Sequence, residues 1–365
     1  MTARRLPFMD LRLREDAADV DRAIRRVVDR GWFVLGPEVE TFEKEFAAAS
    51  RAGFAIGVGT GTDAIALALK GLGFGRGDEV VTTPLSAAYT ALAPMMIGMR
   101  PVFADIHPDR LTLDPRAVEA AIGPRTVAIM PVHLYGQPAD IESIASIARR
   151  HGLALVEDCC QAHLATAGGR PVGTFGVAAA WSFYPTKNLG ALGDGGAVTT
   201  GDAALAARLK RLRNGGQTDR YHHVEPGHNS RLDEMQAAIL RARLRQLPRW
   251  TGRRRAVAAL YRRELAGAVV TVPPEFDTGH VYHLFPVLSE RREQLQAHLS
   301  AHGIETLIHY PVPIPRQPAL AAELPAACPV ADRVCGQVLS LPLHQALTDE
   351  DVCAVSDAVR SFGPA

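Results

Sequence analysis

The sequence predicts an α/β protein: a mostly parallel central sheet flanked by helices, followed by a smaller α+β domain. Two observations predict it. Short apolar runs of strand length alternate with helical patterns up to about residue 245, as parallel strand–helix–strand units do. Beyond Leu247-Pro248 the alternation fades into a basic helix and Pro-rich turns. The expected division is therefore an N-terminal arm and large domain over 1–245 and a small domain over 246–365. A chain of 365 residues is long enough to bury both cores.

The elements follow in order. A helix is expected over 16–29, where Ala17, Val20, Ile24 and Val27 recur at helical spacing. The run from Gly31 to Pro37 breaks it, and a second helix runs from about Glu38 to Ser50. Val80-Val81-Thr82-Thr83, Pro101-Val102-Phe103-Ala104, Val127-Ala128-Ile129-Met130 and Leu153-Ala154-Leu155-Val156 each fit a strand buried on both faces. Between the last two, Asp140 can cap a helix from Ile141 to His151, which Gly152 ends. Another apolar run, Ala178 to Phe183, precedes a turn rich in glycine at 190, 193, 195 and 196.

Bulk properties exclude several function classes. A net charge of +1 offers no reason to expect nucleic acid or an anionic membrane as partner. The arginines at 241–245 and 253–255 read as a solvated helix face. Five scattered cysteines show no zinc-site spacing, so no metal site is expected, and they fit a reducing compartment, the cytoplasm. The first ten residues lack a signal-peptide core, and no apolar run approaches the ~20 residues of a membrane span.

The chemistry centres on Lys187, in Trp181-Ser182-Phe183-Tyr184-Pro185-Thr186-Lys187-Asn188, and on Asp158, in Glu157-Asp158-Cys159-Cys160-Gln161-Ala162-His163. Taken singly, the lysine could lie on the surface and the aspartate could cap a turn. Both are expected near strand ends, where open α/β sheets bind ligands. A partly desolvated lysine loses its proton readily and becomes a nucleophile. A lysine able to form a Schiff base and an aspartate able to hold a pyridinium nitrogen are what pyridoxal phosphate (PLP) requires of a protein. Gln161 could bond the ring's phenolic oxygen, and His163 could stack or merely pack. Gly57-Val58-Gly59-Thr60-Gly61-Thr62-Asp63-Ala64 leads into an apolar helix, whose first amides could bind a phosphate. It could equally be an ordinary turn capped by Thr62. Ser182 and Asn229 could add donors. A dinucleotide site fits worse, because Thr62 stands at the third glycine position, and no Walker A sequence follows.

Together with Pro101-Val102-Phe103-Ala104-Asp105-Ile106, Pro131-Val132-His133-Leu134-Tyr135-Gly136-Gln137 and Asn229-Ser230-Arg231-Leu232-Asp233-Glu234, these motifs resemble the DegT/StrS family of sugar aminotransferases, PLP enzymes of fold type I. The resemblance covers nearly the whole chain. It implies Lys187 as the Schiff-base lysine, Asp158 at the ring nitrogen and Gln161 at the phenolic oxygen. It also implies Gly61, Thr62 and Ser182 at the phosphate, joined by Asn229 from a partner subunit in a homodimer. Two positions depart from the family pattern. Pro84-Leu85-Ser86 is followed by Ala87 and Ala88, with the expected ring-stacking aromatic only at Tyr89, and Arg316 stands where a histidine often follows His309-Tyr310-Pro311. Relatives with histidine at the lysine position dehydrate sugars, so Lys187 points to the transaminase branch. Tyr221-His222-His223 is similar to the branch that aminates C3 of a dTDP-3-keto-6-deoxyhexose. These three residues, with His309 and Tyr310, are expected at the sugar. The resemblance implies amination of a nucleotide-linked keto-6-deoxysugar with glutamate as donor. C4 amination, a cyclitol-type ketone, and a non-catalytic regulator binding PLP or a sugar nucleotide are the alternatives. Visible absorbance bleached by glutamate separates enzyme from regulator.

Overall fold

The computed structural model describes residues 5–322 and 324–363. Helices α1 (Ala17–Arg30) and α2 (Pro37–Ser50) lead into a chain of alternating elements. These are β1 (Phe54–Val58), α3 (Gly61–Gly71), β2 (Glu79–Thr82), α4 (Tyr89–Met96), β3 (Arg100–Phe103), α5 (Pro115–Ala121), β4 (Thr126–Met130), α6 (Ile141–His151) and β5 (Ala154–Asp158). A two-residue ladder, β6 (Thr166–Ala167) with β7 (Arg170–Pro171), precedes β8 (Ala178–Ser182), β9 (Gly196–Thr200) and α7 (Ala203–Leu212). Among the described residues the main sheet has seven strands in the order β1-β9-β8-β5-β4-β2-β3. All run parallel except β9, which is antiparallel to both its neighbours. The expected mostly parallel sheet is therefore present, and its C-terminal edge presents Asp158 and, just beyond β8, the Lys187 loop.

Both faces of the sheet are covered, which is why its strands are apolar at their centres. Val80, Met130, Val156, Ala180 and Val198 face α3 and α7, while Val81, Ile129 and Leu155 face α6. Trp181 and Ala197 meet Phe42 and Phe46 of α2. The rings of Phe46, Trp181 and Phe183 cross edge to face at 5.2–5.3 Å. Helix α6 is capped by Asp140, whose side chain accepts from Ser143 N, and Gly152 ends it in the left-handed region at φ 64°.

After β9 and α7 the chain forms an exposed ribbon, β10 (Gln217–Asp219) with β11 (His222–His223), then α8 (Glu234–Leu244) and α9 (Leu247–Glu264). Glu234, buried, accepts hydrogen bonds from the amides of Gly36, Glu38 and Val39 at 2.8–2.9 Å and so closes the N-terminus of α2. A two-stranded antiparallel pair, β12 (Phe285–Leu288) with β13 (Val338–Leu341), packs with α9, α10 (Arg292–Ala301) and α12 (Asp349–Ser361) around a separate apolar cluster. Helix α11 (Pro329–Gln337) joins residues 284 and 314 in a cluster that reaches the large sheet.

The arginine groups are only partly the solvated face that was expected: Arg245 and Arg255 are exposed, but others turn inward. Arg241 pairs with Glu38 and Glu45. Arg243 is buried against Asp16 and the Gly190 carbonyl. Arg254, 3% exposed, donates to the carbonyls of Tyr282, His283 and Leu343. Buried guanidinium groups persist only when such acceptors surround them.

Candidate active site

A cavity of about 490 Å³ opens at the C-terminal edge of the sheet. Lys187, Asp158, Gln161, Gly61, Thr62, Ser182 and Tyr89 all line it. Asp158 ends β5 and is 3% exposed. Its Oδ1 accepts from Cys160 N at 3.1 Å and its Oδ2 from Thr90 Oγ1 at 3.1 Å. Thr90 has spent its one proton on that bond, so the 2.9 Å contact with Ser86 Oγ is a donation from Ser86. The result is a directed relay, Ser86 to Thr90 to Asp158, that points the carboxylate into the cavity.

Lys187 lies in the loop between β8 and β9, where its amide closes a turn on Tyr184 O at 2.8 Å. Burial pushes the amine's pKa below its usual value, while Cys160 and Asp158 pull it back up. The Cys160 thiol, pushed well up by burial and then by Asp158, stays protonated beside it.

The glycine-rich turn is shaped for close approach. A Cβ on Gly61 would stand 2.7 Å from Ser182 Cβ and 3.1 Å from Cys160 Sγ. Helix α3 begins at Gly61, and Thr60, not Thr62, is its cap, accepting from Asp63 N at 3.0 Å. The helix starts earlier than the apolar pattern indicated. Thr62 is thereby free to face the cavity with the first amides of the helix, an arrangement suited to an anion.

Gln161 is oriented from both ends. Its Oε1 accepts from Tyr135 N at 2.7 Å and its Nε2 donates to Tyr310 Oη at 3.1 Å. Burial pushes the Tyr310 phenol up to about 12, so it remains a neutral hydroxyl. Tyr310 thus reaches the site through Gln161. His309 lies behind it, stacked on Phe8 at 5.6 Å and 3.0 Å from Ser340 Oγ.

Six expected residues, Tyr221, His222, His223, Asn229, His309 and Tyr310, lie outside the cavity wall. Tyr221, His222 and His223 sit exposed on the β10–β11 ribbon, with Tyr221 76% exposed. Asn229 is exposed and bridges Asn214. Its neighbour Ser230 turns inward, accepting from Gly59 N at 2.9 Å and donating to Asp63 Oδ2 at 2.7 Å. Tyr89 stands at the cavity mouth, 62% exposed. His163 packs between Trp181 and Phe183 outside the wall. Arg316 is held by Asp332. The sequence reading missed Ser86, Thr90 and Cys160; Thr90 reaches Asp158 only through folding across a long separation. His133, Glu157 and Cys159 converge as metal sites do, but Glu157 is filled by His133 and the amides of Gly173, Phe175 and Gly176.

The residues present fit PLP. The α3 N-terminus at the cavity wall suits a phosphate, a buried carboxylate suits a ring N–H, and a desolvated amine suits a Schiff base. Comparison with known proteins agrees. The DegT/DnrJ/EryC1/StrS aminotransferase family model matches residues 14–360. The dTDP-3-amino-3,4,6-trideoxy-alpha-D-glucose transaminase of Streptomyces venezuelae is 51% identical, over 98% of this chain and 96% of that protein. The solved structure of S. venezuelae DesV, in complex with a ketimine intermediate, superimposes with a TM-score of 0.96 at 51% identity, covering 98% of each chain. NtdA of Bacillus subtilis, solved with bound cofactor PMP, gives 0.90 at 30% identity over 97% of this chain and 84% of its own. A match of this extent, on a sheet edge that gathers an amine, a carboxylate and an anion cradle, makes the chain a member of the DegT/DnrJ/EryC1/StrS aminotransferase family.

Proposed function

We propose that the chain transaminates C3 of a dTDP-linked 3-keto-6-deoxyhexose, with glutamate as amino donor and PLP as cofactor. One observation carries the chemistry: Lys187 and Asp158 line one cavity. The sugar assignment is supported by the 51% identical transaminase, whose product bears its amine at C3. When bound, PLP supplies a carbonyl carbon for amine exchange and a ring that takes up the electron pair released at a carbon.

The chain's own groups do the rest. Lys187 Nζ, whose pKa burial lowers, would attach the cofactor and then move a proton at the substrate carbon. Asp158 holds the ring nitrogen's proton, and the Ser86–Thr90 relay fixes its direction. Gln161 orients the ring's oxygen side. Gly61, Thr62 and Ser182 hold the phosphate. Asn229, turned outward on a segment pinned by Ser230, completes the phosphate site of a partner subunit in a homodimer. Tyr221, His222 and His223 meet the sugar nucleotide from the same interface, with His309 and Tyr310 from within the chain. Tyr89 covers the cavity mouth. Five free cysteines fit a cytoplasmic setting, and among the described residues no helix is long and apolar enough to cross a membrane.

The test is to offer dTDP-3-keto and dTDP-4-keto-6-deoxyhexoses with glutamate and identify the aminated carbon. The expected product is the 3-amine, and Lys187→Ala is expected to make none. A 4-amine alone, or turnover by the Lys187→Ala protein, overturns the assignment.

A further inference from the structure

Next to Lys187 the chain buries a polar pair that the proposed chemistry leaves unused. Asn188 is 5% exposed and His283 4%. Asn188 Nδ2 donates to Val281 O at 3.0 Å, and its Oδ1 lies 3.2 Å from His283 Nδ1. The first bond fixes the amide, because a carbonyl can only accept. The amide oxygen therefore faces His283, and Nδ1 must carry the proton that bridges them. Burial, the charges of Lys187 and Arg254, and the neighbouring rings of His309 and His163 all oppose protonation of this imidazole. It stays neutral, so the tautomer holds.

The segment that carries His283 is itself tied down. Val281 N donates to Gly136 O at 3.1 Å and His283 N to Tyr135 O at 2.8 Å. Arg254 donates to the carbonyls of Tyr282 and His283. On its other side, Tyr135 N holds Gln161 Oε1 at 2.7 Å. Residues 281–283 therefore brace two walls of one cavity, the Lys187 turn through Asn188 and Gln161 through Tyr135. Lysine's four-carbon stem has no guide of its own, so the turn must supply its aim.

We propose that Asn188 and His283 are positioning residues for transamination: the Nδ1–H···Oδ1 bond sets the direction of the Lys187 stem and its register against Gln161. This rests on the aminotransferase reading above and adds to it the residues that aim the amine. Proton transfer is sensitive to such aim, since a displacement near 1 Å costs on the order of a hundredfold in rate.

The experiment compares His283→Leu, which removes the donor, with His283→Asn, which keeps an N–H near the Nδ1 position. Both are measured on the holoenzyme with keto sugar and glutamate. For His283→Leu the expected result is a fall in kcat of about 10- to 100-fold with KM for the sugar within about threefold. The pH at which the visible absorbance of the lysine-bound cofactor changes is also expected to move. His283→Asn is expected to restore most of both. Wild-type kcat and titration in His283→Leu overturn the proposal. So does equal impairment of the two variants, which would mean that only packing matters. Should His283→Leu not fold, Asn188→Ala reads the same bond from the other side, and an unchanged kcat there overturns it. Wild-type protein that holds no cofactor would instead sink the functional reading itself.

Discussion

Thr90→Val tests the relay behind Asp158 at nearly constant shape. The hydroxyl makes two buried contacts, donating to Asp158 Oδ2 at 3.1 Å and accepting from Ser86 at 2.9 Å. Its loss takes one donor from the carboxylate and leaves those of Cys160. A hydrogen bond to a charged group is worth about 1.5–3 kcal/mol. If the whole of that is felt in the barrier, kcat/KM falls by roughly 13- to 160-fold. Steady-state rates at saturating PLP give the size, a cofactor titration followed by visible absorbance gives the binding share, and a thermal melt shows whether the fold survives. Weaker cofactor retention and a slower rate at unchanged Tm are expected. An unchanged kcat/KM, or a loss that follows Tm alone, would refute the view that Thr90 aims Asp158.

The buried His163 predicts acid sensitivity. Burial pushes its pKa down to about 3, against 6.5 for the unfolded chain. Below pH 6.5 the unfolded state takes up a proton that the native state refuses, so stability falls with pH until about pH 3. At pH 5 this amounts to about 2 kcal/mol. His163→Leu is expected to shrink the stability difference between pH 7 and pH 5 by about that amount in urea unfolding; an undiminished difference contradicts it. Asn229→Ala is expected to weaken cofactor retention by roughly 13- to 160-fold in the dimer, one charge-assisted hydrogen bond's worth, and to leave the monomer fold unchanged. Full retention in the variant, measured by dialysis and absorbance, would remove Asn229 from the site.

Local signals were legible where one segment contained them whole. The helix over 141–151 carries its own cap and stop, and both are used as read. The strands at 79–82, 100–103, 126–130 and 154–158 announce themselves by short apolar runs at their centres, since both faces of the sheet are covered. Strands β1 and β9 were not read. Gly196–Thr200 follows three glycines and opens on a fourth, so it looks like the tail of a turn, and nothing local marks it as the reversed strand of the main sheet. The arginines of α8 and α9 failed for a related reason: their acceptors are carbonyls and carboxylates far away in sequence. At the site, Lys187 and Asp158 could be paired from their motifs, but Thr90 meets Asp158 across 68 positions, and no spacing rule reports that. The outward turn of Asn229 likewise follows from a hydroxyl, Ser230, that binds two atoms of another segment.

The reversal of β9 has a further effect. Because it folds back beside β8 instead of crossing the sheet, the span bearing Lys187 is staked at both ends to adjoining strands. Lengthening or shortening that span would pull on the interior, so insertions there should be rejected in any viable descendant. Among the described residues the β10–β11 ribbon pairs only with itself, outside the main sheet, and has its tip exposed. A lineage built on this scaffold can therefore rewrite its outer loops repeatedly while the amine at its centre stays where it is.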